Sequence, residues 1–280
     1  MAADALQHVP LPARTPAAPS LSGWAYRARV WEYLMRSFRP YVISTLGESI
    51  GAPVLYLLAM GWGLGTLVNR NGTDALGGVS YLRFIAPALL CAAALQIAMG
   101  EASYSTFSRF KWTRIWWGII ASPIRPAQIA DAQLLFIATR LTITSTVYYL
   151  VLLVFHAAGG LLGLLMIPAA VLCAMACAAL VVALSATMDD EGGSFNLLFR
   201  FGVIPMTLFS GSFFPITQLP WAVRWLAMIS PLWHGNELAR SAALARGSGW
   251  QIAGHLAYLL ALLVIGIALS HRQFRRRLVV

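Results

Sequence analysis

Charge is what this sequence has least of. Lys, Arg, Asp and Glu make up 11% of its 280 residues, against roughly 25% in an average soluble domain, which excludes an ordinary solvated globule. Lysine is nearly missing: of twenty basic residues, only Lys111 is not arginine. Lys111 follows Phe110 rather than glycine, so no Walker A loop, whose lysine reaches the nucleotide phosphates, can form here. H-E-x-x-H and G-x-S-x-G are absent too, which removes the usual zinc-protease and serine-hydrolase centres.

Cysteine is equally scarce. Cys91, Cys173 and Cys177 all lie in apolar blocks without histidine or carboxylate companions, so buried packing is their expected role, and the odd count argues against a disulfide framework. Carboxylates are few and scattered. Apart from the run Asp189-Asp190-Glu191, the acids Glu32, Glu48, Glu101, Asp131 and Glu237 stand alone. A magnesium-dependent transferase acting on diphosphates generally needs a second cluster, so the run reads as a solvated turn and no metal ligands are assigned. The five histidines are dispersed, and no internal repeat shows the inverted halves common in secondary transporters.

What is abundant is apolar. Hydrophobic residues make up 59% of the chain and come in blocks of about twenty or more, the length that crosses a hydrocarbon core of about 30 Å as a helix. The expected fold is an all-α membrane protein with six transmembrane helices near 41–68, 81–108, 128–156, 161–187, 195–214 and 250–270. They form a single domain over 23–280. Residues 1–22, rich in Pro and Ala and without a signal-peptide core, read as a disordered tail. Trp24, Ala28, Trp31, Met35 and Phe38 recur at helical spacing, with Arg29, Glu32 and Arg36 on another face. That pattern predicts an amphipathic interfacial helix over 24–39 with its aromatic side in the lipid boundary.

Six spans place both termini on one side. Thirteen Arg and Lys residues fall in the connections on that side and five on the other, which predicts cytoplasmic termini in a bacterial inner membrane. The formal net charge of +10 then reflects orientation, because the basic residues cluster at the ends of apolar blocks, and no nucleic-acid partner is expected. Within spans, each charge costs about 2.5–3.5 kcal/mol at the centre. Arg140 lies near mid-depth of the third span, while Glu48 and Glu101 lie nearer the inner ends of the first and second. An ion pair of Arg140 with Glu101 or Glu48 that ties the bundle together is the expected role, and contact with an anionic substrate headgroup is the alternative. Gly61 and Gly65 form a small-xxx-small pair suited to close helix packing.

Two stretches carry a family resemblance. "FSGSFFPITQLP" at 209–220 followed by "ISPLWHGNELAR" at 229–240, and "ASPIRPAQIADAQ" at 121–133, resemble the membrane subunits of type-2 ATP-binding-cassette (ABC-2) exporters. Within that family they are similar to the branch of nodulation-factor (lipo-oligosaccharide) and daunorubicin-type drug exporters. The resemblance implies a transport subunit without a catalytic site or cofactor of its own, with ATP and Mg held by two cytoplasmic ATPase partners. A second permease copy or a related permease, and membrane lipids, would complete the assembly.

The resemblance further implies that the inner loop 109–127 contacts the ATPase through Lys111, Trp112, Arg114, Ile115, Trp116 and Arg125. Where family members commonly carry Gly-Thr and an acidic residue, this chain has Thr113-Arg114-Ile115-Trp116-Trp117. Over 215–249 the family pattern implies short re-entrant outer helices between spans five and six, with an outer gate formed by Phe213, Phe214, Pro215, Pro220, Trp221, Trp225 and Trp233. The cargo implied is amphiphilic: a glycolipid, a lipid-linked oligosaccharide or a hydrophobic drug. An ion-coupled secondary transporter is the alternative, and a magnesium-dependent membrane transferase is a further one.

Overall fold

The computed structural model describes residues 22–70, 72–189 and 193–279, and every regular element among them is helical. Most of the proposed tail lies outside the described residues, as do Asp190 and Glu191 of the acidic run. Ser22 starts α1 (Gly23–Phe38) by accepting a hydrogen bond from the Ala25 amide at 3.3 Å, which satisfies one of the first-turn donors that a helix leaves free. A short 3₁₀ turn, Arg39–Tyr41, leads without a break into α2 (Val42–Leu57). A π-helical stretch, Leu58–Leu64, carries that helix on to Arg70.

The remaining helices are α3 (Tyr81–Lys111), α4 (Ile115–Ile120), α5 (Pro126–Val154), α6 (Leu161–Ser185) and α7 (Gly193–Phe209), then α8 (Trp221–Ile229), α9 (Pro231–Leu244) and α10 (Gly249–Leu278). Five helical runs among the described residues, Gly23–Arg70, α3, α5, α6 and α10, are long and apolar enough to cross a membrane. The sixth expected crossing, α7, is shorter. It stops at Phe209 rather than 214, because Ser210 leaves helical geometry and Gly211 takes a positive φ of 71°. At 1.5 Å per residue α7 is about 25 Å long, less than a core of about 30 Å.

Helix α6 sits at the centre, packed by α3, α5, α9 and α10. Its surface is small: Ala170, Cys173, Ala174, Ala176, Ala178 and Ala179 are all fully buried. A Cβ added at Gly266 of α10 would stand 2.6 Å from the Ala179 Cβ, and one at Gly235 of α9 would stand 2.5 Å from Cys173. These glycines therefore set how closely the axes approach, the usual use of small residues between apolar helices. Gly61, by contrast, meets only the flexible end of Leu82 at 3.0 Å.

The expectation for α1 needs correction. Its apolar side faces the bundle and not the lipid boundary: Val30 and Leu34 are buried, and Trp31, Met35 and Phe38 pack on the core. The cause is polar as well as apolar. Arg27 Nε pairs with Asp131 at 2.6 Å, and Trp31 donates its indole N–H to Thr139 at 3.1 Å, both on α5. Trp24 alone of the aromatic series stays mostly exposed, at 64%.

Candidate functional site

The charged centre of the bundle is built on a backbone irregularity. Residues Glu101–Ser105 of α3 are π-helical, a geometry that releases carbonyls from the regular ladder. Side chains take them up: Thr106 Oγ1 and Gln133 Nε2 donate to the Glu101 carbonyl at 2.8 and 3.5 Å, and Ser185 Oγ donates to that of Ala102 at 2.7 Å. At this bulge the Glu101 carboxylate accepts a hydrogen bond from Arg140 Nη1 of α5, while the guanidinium lies 4.0 Å over the Phe38 ring of α1. The two side chains are only 11% and 14% exposed. Removing one partner of such a pair costs about 3–5 kcal/mol, because the other charge is left buried and uncompensated.

Glu48 stands apart from this pair. It is exposed on α2, and among the described residues it forms no salt bridge. Glu48 and Arg140 nonetheless line one cavity, of about 250 Å³, between α2, α3, α5 and the end of α7. Its wall is apolar along Pro53, Leu89, Leu90, Ala93 and Ile97, and polar at Thr45, Ser49, Gln96, Thr144, Ser145, Tyr148 and Thr207. Several of these hydroxyls are already committed: Ser49 donates to the Thr45 carbonyl at 2.7 Å, Thr144 to that of Arg140 at 3.0 Å and Thr207 to that of Val203 at 2.8 Å. Two buried polar atoms in the wall have no hydrogen-bond partner among the described residues, Ser145 Oγ and Arg140 Nε.

Above the cavity, the segment after α7 is held by two side chains, Asn236 and Arg240, that lie in the stretch carrying the family resemblance but to which the sequence assigned no role. Ser210 and Ser212 are buried in non-helical backbone, where unpaired carbonyls are costly. Asn236 Nδ2 donates to the Ser210 carbonyl and to Ser212 Oγ, each at 3.0 Å. Arg240 donates to the carbonyls of Gly211 and Ser212, and its Nε to that of Phe84 at 3.2 Å, with the guanidinium 4.0 Å over the Phe84 ring. Counted from sequence as an outer-loop charge, Arg240 is 7% exposed and is the centre of this joint. The signal available was its place in the stretch 229–240 that carries the family resemblance, with Glu237 one turn before it.

Helix α9 also has a direction relative to its neighbours. Its first turn meets Cys91 and Cys173, whose thiols approach the Gly235 and Pro231 carbonyls at 3.5 and 3.4 Å, well inside α3 and α6. Its last turns meet the start of α3 at Phe84, and Arg246 beyond it donates to the Gly77 carbonyl at 2.9 Å. The start of α9 therefore packs beside the middle of α3 and α6, and its end beside the start of α3.

The residues expected to form an outer gate separate into groups. Phe213 lines the cavity described above. With Phe214 and Pro215 it also lines a second one, bordered by Met60, Leu64, Val68 and Tyr81. Pro215 and Pro220 each start a new helical turn, at Ile216 and at Trp221. Trp221 and Trp225 line neither cavity; they are 76% and 57% exposed along one side of α8. Trp233 packs edge-on against His234 and His255.

The inner loop separates in the same way. The helix expected over 111–120 is the six-residue α4, entered through Arg114 in the left-handed region with φ 53°. Trp116 is fully buried and packs its ring against Phe110 and Phe274, so it anchors α4 to α3 and α10 and presents no surface. Trp112 is 55% exposed, Arg114 and Arg125 are exposed, and Ile115 is half-buried. Lys111 Nζ donates to the Asp189 carbonyl at 2.5 Å, and Arg277 reaches the Asp189 carboxylate at 3.3 Å.

Comparison with known proteins agrees with this architecture. The ABC-2 type transporter family model matches residues 30–244. Nodulation protein J of Rhizobium meliloti (strain 1021) is 28% identical over 264 residues, covering 94% of this chain and 97% of that protein. Nodulation protein J of Rhizobium leguminosarum bv. viciae is 27% identical over 253 residues, covering 89% and 93%. That of Bradyrhizobium diazoefficiens is 28% identical over 252 residues, covering 89% and 92%. With most of its length matched by the family model and its apolar helices packed as a multi-pass bundle, the chain belongs to the ABC-2 type transporter family as a membrane permease subunit.

Proposed function

We propose that this chain is the passage-forming subunit of an ATP-driven exporter for an amphiphile: a glycolipid, a lipid-linked oligosaccharide or a hydrophobic drug. The observation that carries the reading is the cavity in the apolar bundle between α2, α3, α5 and the end of α7, whose largely apolar wall is set with Glu48, Ser145 and Arg140. An aromatic and hydroxylic wall suits a molecule with both an apolar body and a polar head better than a small ion. Two cytoplasmic ATPases holding ATP and Mg would dock on the inner loop through Trp112, Arg114 and Arg125, leaving this chain without a catalytic centre. Two permease copies, or this chain with a related one, would enclose the path in a bacterial inner membrane with both termini in the cytoplasm.

In this reading α7 is the fifth of six spans, completed at the outer side by 210–220, and α8 with α9 forms a re-entrant pair over the path. Non-helical backbone at that depth is tolerable only when protein satisfies it, and the Asn236 and Arg240 contacts supply that satisfaction. Closure of the ATPases would move α4 and the helices it is anchored to as rigid bodies. The test is purification of the full chain with whatever binds it, followed by reconstitution. A stoichiometric P-loop ATPase and ATP-dependent outward movement of cargo are expected. Uphill transport by this chain alone, collapsing with the proton gradient, would establish the ion-coupled alternative instead.

A further inference from the structure

Arginines at the ends of apolar spans orient a chain in its membrane, which asks only for more charge on one side than the other. At the end of α10 they do more than add to a count. Arg125 at the start of α5 and Arg272, Arg275 and Arg276 of α10 converge on one cleft of about 940 Å³, and among the described residues no carboxylate lines it. Arg277, on the same turn, is fully committed elsewhere: it donates to the carbonyls of Ser185 and Met188 at 3.0 and 2.8 Å, reaches Asp189, and lies 4.6 Å over the Phe110 ring. Arg272, Arg275 and Arg276 are exposed, and their side chains make no hydrogen bond or ion pair among the described residues. His271 also lines the cleft, but the acid it contacts is spent, because Asp131 pairs with His271 Nε2 at 2.5 Å and with Arg27 Nε at 2.6 Å.

Arg272 stands three residues before Arg275 and four before Arg276, so the three heads are neighbours on the helix surface and repel one another. The negative end of the helix dipole offsets part of that repulsion. A bound anion would offset the rest, and guanidinium forks grip phosphate oxygens in pairs. The surface next to the cleft selects among anions. Ile265 and Leu269 are 51% and 37% exposed, and with Arg272 and Arg276 they follow at steps of four, three and four residues, a single stripe along α10. Only 11% of the apolar stretch of this helix is buried in the protein. An apolar track that runs along a spanning helix and ends in paired guanidinium groups matches a phosphate carried on acyl chains. An acidic protein segment would use the arginines and leave the track without purpose.

We infer that this cleft binds the headgroup of an anionic phospholipid of the surrounding bilayer, with its phosphate on Arg272 and Arg276, Arg125 and Arg275 at the rim, and its acyl chains along Ile265 and Leu269. Such basic sites beside spanning helices are suited to anionic headgroups. A lipid held there ties the end of α10 to the start of α5, where the inner loop ends. The inference needs only that α10 crosses a membrane, and it is independent of the cargo and of the ATPase.

The test places the full chain in nanodiscs of equimolar phosphatidylcholine and phosphatidylglycerol with identical acyl chains. The phospholipids retained after mild detergent extraction are then counted by mass spectrometry. The parent should keep phosphatidylglycerol over phosphatidylcholine by about tenfold or more, the weight of two arginines at an anionic surface. Arg272→Gln with Arg276→Gln should reduce that preference below about threefold, whereas Arg36→Gln with Arg39→Gln, which removes the same charge from α1, should leave it intact. Both variants change exposed side chains and should keep the parent's unfolding midpoint in discs of phosphatidylcholine alone. If the α10 pair fails that check, Arg276→Gln by itself takes its place, with a drop of about threefold expected. Equal retention of the two lipids by the parent would overturn the inference, as would an equal loss in the α1 variant, which would mark diffuse attraction. Displacement of the lipid by excess inorganic phosphate, or by the ATPase that copurifies with the chain, would assign the cleft to a free anion or to a protein partner and overturn it as well.

Discussion

At the scale of single residues, the buried arginines do different work, and their replacements should tell them apart. Arg140 is matched by one carboxylate, so Arg140→Gln leaves Glu101 charged in a dry site and is expected to destabilise by about 3–5 kcal/mol. Arg140→Gln combined with Glu101→Gln removes both charges and should recover most of that loss, read as the thermal unfolding midpoint in detergent. A double variant as unstable as the single one would mean that the guanidinium matters for its packing on Phe38 and not for its charge. Arg240 is different, because most of its donors go to backbone carbonyls of Phe84, Gly211 and Ser212. No partner can be neutralised to rescue it. Arg240→Met should cost about 2–5 kcal/mol, the range for charge-assisted bonds lost with their acceptors left buried, and Glu237→Gln should not relieve it. Rescue by Glu237→Gln in the same unfolding assay would show that the ion pair, and not the carbonyl cradle, is what Arg240 provides.

At the scale of helices, the decisive variable is how closely axes approach. Gly266 and Gly254 lie on the same helix, yet an added Cβ at Gly266 meets Ala179 at 2.6 Å and one at Gly254 meets nothing within 4 Å. Gly266→Ala is expected to destabilise by about 1–3 kcal/mol through overpacking. Gly254→Ala should be neutral or stabilising by up to about 1 kcal/mol from helix propensity. Equal effects on the unfolding midpoint would contradict the close crossing of α6 and α10. This contrast also marks where sequence reading stops. Blocks of about twenty apolar residues located α3, α5, α6 and α10 and the polar turns between them, because crossing length depends on composition alone. The pairing of Arg140 with Glu101 was within reach for the same reason, since charges in apolar helices need partners. Which glycine touches a neighbour depends on helix rotation, which composition does not encode: Gly61 and Gly65 form a pattern in sequence, while Gly235 and Gly266 make the tight contacts. Helix α1 escaped for a related reason, as its apolar stripe suits a lipid surface and a protein surface equally well, and only Arg27 and Trp31 meeting Asp131 and Thr139 decide between them.

At the scale of the whole molecule, the question is how a push on the inner loop would reach the cavity. Helix α4 is too short to be stable alone; it is fixed because Trp116 packs on the paired rings of Phe110 of α3 and Phe274 of α10. Helix α3 carries Glu101 at its π stretch, about two turns from Phe110, and α10 packs on the central α6. A displacement of α4 would therefore be passed first to α3, which carries Glu101, and to α10, while Arg140 is carried by α5. Two tryptophans in this loop should then behave oppositely. Trp116→Ala empties a fully buried site and is expected to destabilise by about 3–5 kcal/mol, with transport and ATPase retention lost together as the protein unfolds. Trp112, 55% exposed with its ring edge-on to Phe107 at 5.7 Å, offers surface to a partner while holding little of the core. Trp112→Ala should leave the unfolding midpoint within about 0.5 kcal/mol of the parent, as for surface positions generally, yet lower ATP-dependent transport at least about tenfold, the weight of one interface anchor. Measured in vesicles containing both subunits, a Trp112→Ala chain that keeps full transport would place ATPase contact elsewhere, on Arg114 and Arg125 or on the exposed face of α1. One that loses transport while its partner still hydrolyses ATP would locate the mechanical link at this ring.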